Sequence, residues 1–305
     1  MTRQELVDQG VVVADFSLAS STTYKFGGAA AWFAEPSDVA ELQAVIESFG
    51  DSDVLMLGRG SNLVVADKGF DGLVVRLGKD FAHISFDGDL VRAGGAVSLP
   101  VLARSSAQAG RGGLEWCVGV PGSVGGAIRM NAGCHGSDVA GCLDAANVMD
   151  LRDGTIRSVT ATEMELAYRH SNLELHDAVI AATFVTSEID PDDGAREIRR
   201  ITQWRREHQP GGTFNAGSVF KNPAGDAAGK IIDDEGLKGM QRGGVRVSAR
   251  HANFFEADAG ASAQNLYDLV WAVRRAVGER TGVWLEPEVR FAGEFERSPD
   301  EVVVP

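Results

Sequence analysis

The chain has 305 residues, 44% of them hydrophobic and 24% charged, a composition typical of a globular protein with about two domains. Its net charge of −14 argues against a protein that wraps nucleic acid, because the phosphates require a basic surface. The sequence has no long apolar run and no signal-like start, so we expect neither a membrane partner nor export. Its three cysteines form no Cys-x-x-Cys pair, which favours reduced thiols and a cytoplasmic location. The six histidines lack metal-ligand spacing, and we predict no metal site.

Strand and helix signals alternate through the first 190 residues. They predict a helix capped by Ser37 with an apolar face reaching Phe49, strands at 54–57, 73–77 and 179–186, hairpins over 83–95 and 148–159, and a helix over 98–109. The glycine- and serine-containing turn at 58–63 follows a buried strand. In α/β proteins this position is where a ligand site lies.

The polar, turn-rich segment 190–194 is the best candidate for a domain boundary. Beyond it we predict helices at 198–208 and 227–235, a strand pair at 245–247 and 251–255, a long helix between Ser262 and Gly282, and a strand at 284–291. Residues 294–305 read as a loose acidic tail.

Residues 117–136 contain six glycines within twenty residues, together with Ser123 and Asn131. Such a stretch allows close approach of the backbone to a ligand, and its N–H groups suit a phosphate-bearing one. The spacing is neither that of a P-loop nor that of a Rossmann turn, so a flavin in another α/β scaffold fits better than NAD alone. The alternative is a glycine-rich loop that merely turns tightly.

Three residues are candidates for chemistry, and each has a structural alternative. Ser218, in Asn-Ala-Gly-Ser, is either a proton donor or nucleophile in a pocket, or a turn serine bonded to its own backbone. Arg169 is either a clamp for a carboxylate or phosphate, or a surface arginine. Glu288 lies on the same strand face as Arg290, so an ion pair between them is its structural alternative.

Six motifs occur in an order that is specific when they are taken together. They are Leu-Gly-Arg-Gly-Ser-Asn-Leu (57–63), Gly-Val-Pro-Gly-Ser-Val-Gly-Gly-Ala (119–127), Asn-Ala-Gly (131–133), Tyr-Arg-x-Ser (168–171), Asn-Ala-Gly-Ser-Val-Phe-Lys-Asn-Pro (215–223) and Leu-Glu-Pro-Glu-Val-Arg (285–290). From about Thr22 to Gly293 the chain resembles the UDP-N-acetylenolpyruvoylglucosamine reductase family. The interval between Arg169 and Ser218 is short, as in the compact branch that lacks an extra substrate-closing loop.

The resemblance implies an α+β fold in which a two-subdomain FAD-binding half, of a non-Rossmann flavin type, precedes a C-terminal α/β substrate-binding domain. We expect FAD-binding subdomains at 1–80 and 81–190, a substrate-binding domain at 195–293 and a tail at 294–305. The implied reaction uses FAD as cofactor and NADPH as co-substrate, and it converts UDP-N-acetylglucosamine enolpyruvate to UDP-N-acetylmuramate for peptidoglycan synthesis.

The resemblance also implies roles for individual residues. Arg169 would clamp the substrate carboxylate, Ser218 would donate the proton, and Glu288 would stabilise the acid form, with a raised pKa as a hypothesis. The expected cofactor-binding residues are Gly58, Arg59, Gly60, Ser61, Asn62, Gly119, Pro121, Ser123, Gly125, Gly126, Asn131 and Gly133. The expected substrate-binding residues are Tyr168, Asn222 and His251.

Two positions depart from the family pattern. Arg59 replaces a glycine, and His208 stands where a lysine often contacts the substrate. Two other functions remain open from the sequence: a flavin-dependent alcohol or sugar oxidase on the same scaffold, and an inactive nucleotide-sugar-binding relative.

Overall fold

The computed structural model describes residues 1–50 and 52–302, which divide into two compact units. Unit 1 comprises Met1–Ala14, Trp32–Arg59 and Gly72–Arg205, and unit 2 comprises Asp15–Ala31, Gly60–Asp71 and the chain from Arg206 onward. Helices and strands are mixed along the chain, which confirms the predicted α+β class. The predicted division at 80 and 190 stays a prediction.

The helices lie mainly between groups of strands. They are α1 (Arg3–Asp8), α2 (Val39–Ser48), α3 (Leu99–Gln108), α4 (Val124–Arg129), α5 (Pro191–His208), α6 (Ala228–Asp234) and α7 (Ala263–Thr281). None of the helices in the described residues is long and apolar enough to cross a bilayer.

The longest strands, of eight and nine residues, pair with each other in one antiparallel sheet. The strands are β1 (Val12–Ser17), β2 (Ala29–Ala34), β3 (Val54–Met56), β4 (Leu63–Val65), β5 (Phe70–Val75), β6 (Ile84–Asp87), β7 (Leu90–Gly94), β8 (Arg111–Gly112), β9 (Gly133–Cys134), β10 (Ser137–Asp138), β11 (Leu143–Asp150), β12 (Ile156–Thr160), β13 (Asp177–Val185), β14 (Ser187–Glu188), β15 (Gln241–Arg242), β16 (Val245–Val247), β17 (Phe255–Ala257) and β18 (Arg290–Ala292).

Unit 1 contains two hydrophobic cores. The five-stranded antiparallel sheet β12-β11-β13-β7-β6 packs with α3 and α4 around side chains that include Leu102, Ile128 and Phe184. A second core surrounds α2, where Leu42, Ile46 and other side chains pack against residues of β3 and β5, which pair in parallel. The hairpins predicted at 83–95 and 148–159 are confirmed as β6–β7 and β11–β12.

Unit 2 is built around α7. This helix begins at Ser262, whose hydroxyl accepts from the N–H of Asn265, and it ends at Gly282 with φ +76°, both as predicted. Its apolar face packs on the antiparallel sheet β15-β16-β17 and on α6, in a core that includes Phe220, Val245 and Val273. The parallel pair β18–β4 completes the unit.

Several local expectations were wrong. Asp38, not Ser37, caps α2, because its carboxylate accepts from the N–H of Glu41. The segment 190–194, expected to be a turn-rich stretch at a domain boundary, contains the first turn of α5, which begins at Pro191. Proline and acidic residues suit a helix start as well as a turn, so the local signal was ambiguous. Of the strand predicted at 284–291, only the end belongs to regular β-structure, in β18.

The expectation of a loose tail was wrong for residues 294–302, which dock against α7. The ring of Phe295 stacks on that of Tyr267, with 4.7 Å between the ring centroids. Asp300 is only 5% exposed, and its carboxylate lies 2.6 Å from the guanidinium of Arg275 and 3.3 Å from that of Arg242. The segment is therefore part of the folded unit.

Replacing Asp300 with asparagine should lower the free energy of unfolding by about 1–2 kcal/mol, because two cations lose a buried carboxylate but remain partly solvated. Urea unfolding measures the change. Glu279→Gln is the matched control: Glu279 also contacts Arg275, but at 4.0 Å and on the surface, so its loss should cost less than about 0.5 kcal/mol. Equal effects of the two substitutions would contradict a structural role for the docked segment.

Candidate active site

Close backbone contacts and hydrogen bonds at Gly60 hold the turn after β3 in place. Gly60 has φ +60°, and a Cβ there would overlap the carbonyl oxygen of Ser21 and lie 2.8 Å from the Cα of Thr22. The N–H and hydroxyl of Thr23 both donate to the Gly60 carbonyl, at 3.1 and 3.4 Å. Only glycine satisfies both this conformation and this close approach.

The same turn presents a run of backbone donors. Within residues 1–50 and 52–302, the N–H groups of Gly58, Arg59, Gly60, Ser61 and Asn62 pair with no acceptor. Successive N–H groups in a turn bind anions, and the exposed Arg59 side chain adds a positive charge. The turn therefore fits the diphosphate of FAD, in line with its predicted role.

In unit 1, the two glycine-rich stretches meet. A Cβ on Gly58 would lie 2.6 Å from the hydroxyl oxygen of Ser123, so the backbone of one stretch touches a side chain of the other. Ser123 is buried and caps α4, where its oxygen accepts from the N–H of Gly126 at 3.4 Å. The expectation that both stretches belong to one site is consistent with this contact.

The N–H groups at the start of α4 are already used within the protein. Gly125 donates to the carbonyl of Gly95 at 2.9 Å, and Gly126 donates to Ser123. A Cβ on Gly125 would lie 3.0 Å from the carbonyl oxygen of Val179, so the backbone is closely packed at this glycine. A flavin contact at these two residues would therefore use the open surface of the backbone rather than its donors.

Two other glycines of the stretch also serve close packing. A Cβ on Gly119 would lie 2.6 Å from the sulfur of Cys134, and one on Gly133 would lie 2.5 Å from the Cβ of Asp138. Pro121, on the same stretch, is exposed. A cofactor contact from these three residues stays a prediction.

In unit 2, a backbone hydrogen bond joins the segment that contains Ser218 to the one that contains Glu288. The carbonyl of Val219 accepts from the N–H of Glu288 at 2.7 Å, so the segment carrying the serine runs alongside the one carrying the carboxylate. Both side chains are half-buried. Asn62 joins the same group, because its side-chain amide donates to the carbonyl of Glu288 at 2.9 Å. The predicted proton donor, the predicted acid and one residue of the donor turn are thus neighbours.

The turn before Ser218 is closed by other groups, which leaves the serine hydroxyl available. Asn215 closes the preceding turn by accepting from the N–H of Gly217, which has φ +77°. In the part of the chain that the structure describes, the Ser218 hydroxyl itself makes no hydrogen bond, so it is not the backbone-bonded turn serine of the alternative interpretation.

Asn253 is a supporting residue that sequence reasoning missed. It is 2% exposed, and its side-chain amide pairs with Phe220 in both directions, accepting from the N–H at 2.9 Å and donating to the carbonyl at 2.8 Å. This amide acts as a backbone partner for the segment that carries Ser218. The sequence feature that could have indicated this role is an asparagine between the apolar residues Ala252 and Phe254.

Two of the predicted substrate-binding residues also make hydrogen bonds within the protein. The side-chain oxygen of Asn222 accepts from the N–H of Ala228 at 3.0 Å, at the start of α6. Nδ1 of His251 accepts from the N–H of Asn253 at 3.3 Å, and the imidazole ring lies 4.6 Å from that of Phe254. Burial lowers the pKa of His251, which favours the neutral imidazole. His208 is exposed at the end of α5.

Arg169 occupies a strained turn in unit 1. Its φ is +53°, its guanidinium lies 5.0 Å from the ring centroid of the exposed Tyr168, and it donates to the carbonyl of Gly133 at 3.3 Å. Burial raises the pKa of the adjacent Cys134 thiol to about 11, which favours the protonated, less reactive form. Asn131, predicted to bind the cofactor, instead directs its amide to protein groups, with Nδ2 donating to the carbonyl of Ala167 at 2.9 Å.

Gly60→Ala should both destabilise the protein and lower its FAD content. The matched control is Gly236→Ala, since Gly236 has a similar φ of +66° but open space around its Cβ position. The control should cost about 1 kcal/mol for the left-handed conformation, and Gly60→Ala at least about 2 kcal/mol more for the overlap. Urea unfolding and the flavin absorbance of the purified proteins measure both effects. Equal costs would show that the turn has room to move.

The comparisons with known proteins first define a class. Residues 30–160 match a family described as FAD binding domain, so the chain is a flavoprotein. Residues 209–292 match the UDP-N-acetylenolpyruvoylglucosamine reductase, C-terminal domain.

Relatives along the whole chain define the family. The chain is 36% identical to UDP-N-acetylenolpyruvoylglucosamine reductase of Bacillus subtilis over 95% of this chain and 97% of that one. It is 40% identical to the protein of the same name from Heliobacterium modesticaldum, over 91% and 89%. The crystal structure of the reductase from Thermus caldophilus superposes with a TM-score of 0.80 at 32% identity, over 92% and 98%. The chain belongs to the UDP-N-acetylenolpyruvoylglucosamine reductase family.

Proposed function

We propose that this chain is a FAD-containing, NADPH-dependent oxidoreductase that converts UDP-N-acetylglucosamine enolpyruvate to UDP-N-acetylmuramate in peptidoglycan precursor synthesis. The observation that carries the proposal is the 2.7 Å backbone bond between Val219 and Glu288, which joins the segment that contains Ser218 to the one that contains Glu288. The family relationship supports it. We place the enzyme in the cytoplasm, where NADPH and nucleotide sugars are found.

The donor turn and Ser123 would hold the cofactor. When bound, FAD would supply the hydride-transfer chemistry that links NADPH to the substrate. The N–H groups of residues 58–62 would face the diphosphate, with Arg59 compensating part of its charge. Hydrogen bonds to fixed donors keep the cofactor in place without a cluster of cations, as suits an acidic chain.

Ser218 would complete the reduction by proton transfer. The substrate gains a hydride at its terminal vinyl carbon and a proton at the carbon bearing the carboxylate. The proton comes from the serine hydroxyl. A hydroxyl is a weak acid, but the species formed after hydride addition is a strong base, and alignment supplies much of the remaining driving force. Glu288 would stabilise the serine or the substrate during this transfer.

Arg169 would bind the substrate carboxylate. Negative charge spreads onto this group as the carbon–carbon double bond is reduced, so a guanidinium aimed at it stabilises the transition state more than the ground state. Tyr168, Asn222 and His251 are the further substrate contacts that we propose.

An anaerobic titration tests the whole proposal. Purified protein should be yellow, lose its visible absorbance with NADPH (the first half-reaction), and regain it only when UDP-N-acetylglucosamine enolpyruvate is added (the second half-reaction). Mass spectrometry of the nucleotide sugar should show a gain of two hydrogens. Colourless protein that takes up no FAD would contradict the proposal, and so would recovery of absorbance with oxygen but not with the nucleotide sugar, as an oxidase would give.

A further inference from the structure

The segment around Arg169 has an unusual backbone. Among the non-glycine residues with positive φ are Asn131 at +39°, His135 at +54°, Glu165 at +47° and Arg169 at +53°, all in two neighbouring segments of unit 1. Left-handed conformations cost side-chain-bearing residues free energy, and they persist only where surrounding contacts impose them. The turn that carries Arg169 therefore needs an external restraint.

Three hydrogen bonds join this turn to the segment 129–133. Nδ2 of Asn131 donates to the carbonyl of Ala167 at 2.9 Å, and the hydroxyl of Ser171 donates to the carbonyl of Arg129 at 2.7 Å. The guanidinium of Arg169 donates to the carbonyl of Gly133 at 3.3 Å. The bonds from Asn131 and Ser171 flank Arg169 in sequence, so together they fix the backbone from which its side chain extends.

Both ends of the Asn131 side-chain amide make hydrogen bonds within the protein. Asn131 is 2% exposed. Its Oδ1 accepts from the N–H of Ala140 at 2.9 Å, and its Nδ2 also approaches a carboxylate oxygen of Asp138 at 3.4 Å. Asparagine is one of the few residues that tolerate positive φ, so the same residue suits both the backbone and the bonding. These contacts direct the amide into the protein rather than toward a cofactor.

We infer that Asn131 and Ser171 are positioning residues for Arg169, which they hold in the orientation that binds the substrate carboxylate. This inference rests on the proposed function, because it takes the role of Arg169 from it. It replaces the predicted cofactor contact of Asn131 by a role in the second half-reaction.

Asn131→Asp is the sharpest test at this position. Aspartate keeps the size and tolerates the left-handed backbone, but it puts an oxygen where the donor to the Ala167 carbonyl was. Ser171→Ala removes the second bond, and Ser171→Thr restores a hydroxyl. We expect Asn131→Asp and Ser171→Ala to slow the second half-reaction at least about tenfold more than the first, and Ser171→Thr to recover most of the loss.

Two further measurements separate positioning from cofactor binding. FAD content, read from the ratio of visible to ultraviolet absorbance, should match that of the unmodified protein in Asn131→Asp. Asn147→Asp, the same chemical change at an exposed position of β11, is the control for the added charge. A low FAD content in Asn131→Asp, with both half-reactions slowed alike, would overturn the inference in favour of a cofactor contact.

A double-mutant cycle with Arg169→Ala completes the experiment. If Asn131 acts through Arg169, adding Asn131→Asp to Arg169→Ala should slow the second half-reaction by less than about twofold further. Full additivity would overturn the inference. If Arg169→Ala alone leaves the second half-reaction unchanged, the proposed role of Arg169 fails instead, and the two failures are thereby distinguished.

Discussion

Ser218→Ala should retain the first half-reaction and slow the second by about 10²–10⁴-fold, the usual contribution of a positioned general acid. The reason is local: the Ser218 hydroxyl makes no hydrogen bond within the described residues, and alanine removes only this oxygen from a turn that Asn215 and Gly217 already close. Because the segment is held through the backbone of Val219 and Phe220, the substitution should leave the fold intact.

Stopped-flow absorbance of the NADPH-reduced protein, mixed anaerobically with the enolpyruvyl nucleotide sugar, measures the second half-reaction of this variant. Ser218→Cys is the informative companion, since a thiol can also donate a proton and should recover part of the rate. A second half-reaction of unchanged rate in Ser218→Ala would remove the serine from the mechanism, while an equal loss in both half-reactions would indicate damage to the cofactor site.

Arg169→Ala should slow the second half-reaction by about 10²–10³-fold, the cost of removing one group that stabilises developing negative charge. Arg169→Lys should recover only part of this loss, because lysine keeps the charge but lacks the planar pair of donors that fits a carboxylate. Raising the substrate concentration should not restore either rate fully, since the interaction strengthens in the transition state.

Substrate titrations of the second half-reaction separate binding from rate for the Arg169 variants. Arg104→Ala is the control, because Arg104 is an arginine of the same unit that lies exposed on α3 and donates to the carbonyl of Pro100. A pure loss of affinity in Arg169→Ala, with full rate at saturation, would mean that the guanidinium binds the carboxylate without assisting the reduction.

The sequence predicted those elements whose signals are local. The β6–β7 hairpin, α3, and α7 with its serine cap and glycine end all follow from spacing and turn residues within the element itself. The errors arose where one local signal has two meanings, as at Pro191, or where burial depends on distant residues. Asp300 reads as part of an acidic tail until the positions of Arg242 and Arg275 are known.

The site shows the same division. Motifs that are continuous in sequence made Ser218, Glu288 and the donor turn candidates, and the roles of these residues stay predictions. The support given by Asn253 to Phe220, and by Asn131 to Ala167, spans 33 and 36 residues and could not be predicted from spacing. The sequence does not indicate which carbonyl a buried side-chain amide will contact, so residues that support a site in this way cannot be identified from the sequence.

The donor turn at 58–62 has a consequence for solution behaviour. Its N–H groups are dipoles without net charge, and they act over the length of a hydrogen bond. Mobile ions screen interactions over about 8–10 Å at ordinary ionic strength, which leaves such short contacts almost untouched. If the turn holds the diphosphate of FAD as proposed, the contribution of its N–H groups to cofactor binding should change little with salt, while the contribution of the Arg59 charge should weaken as salt rises.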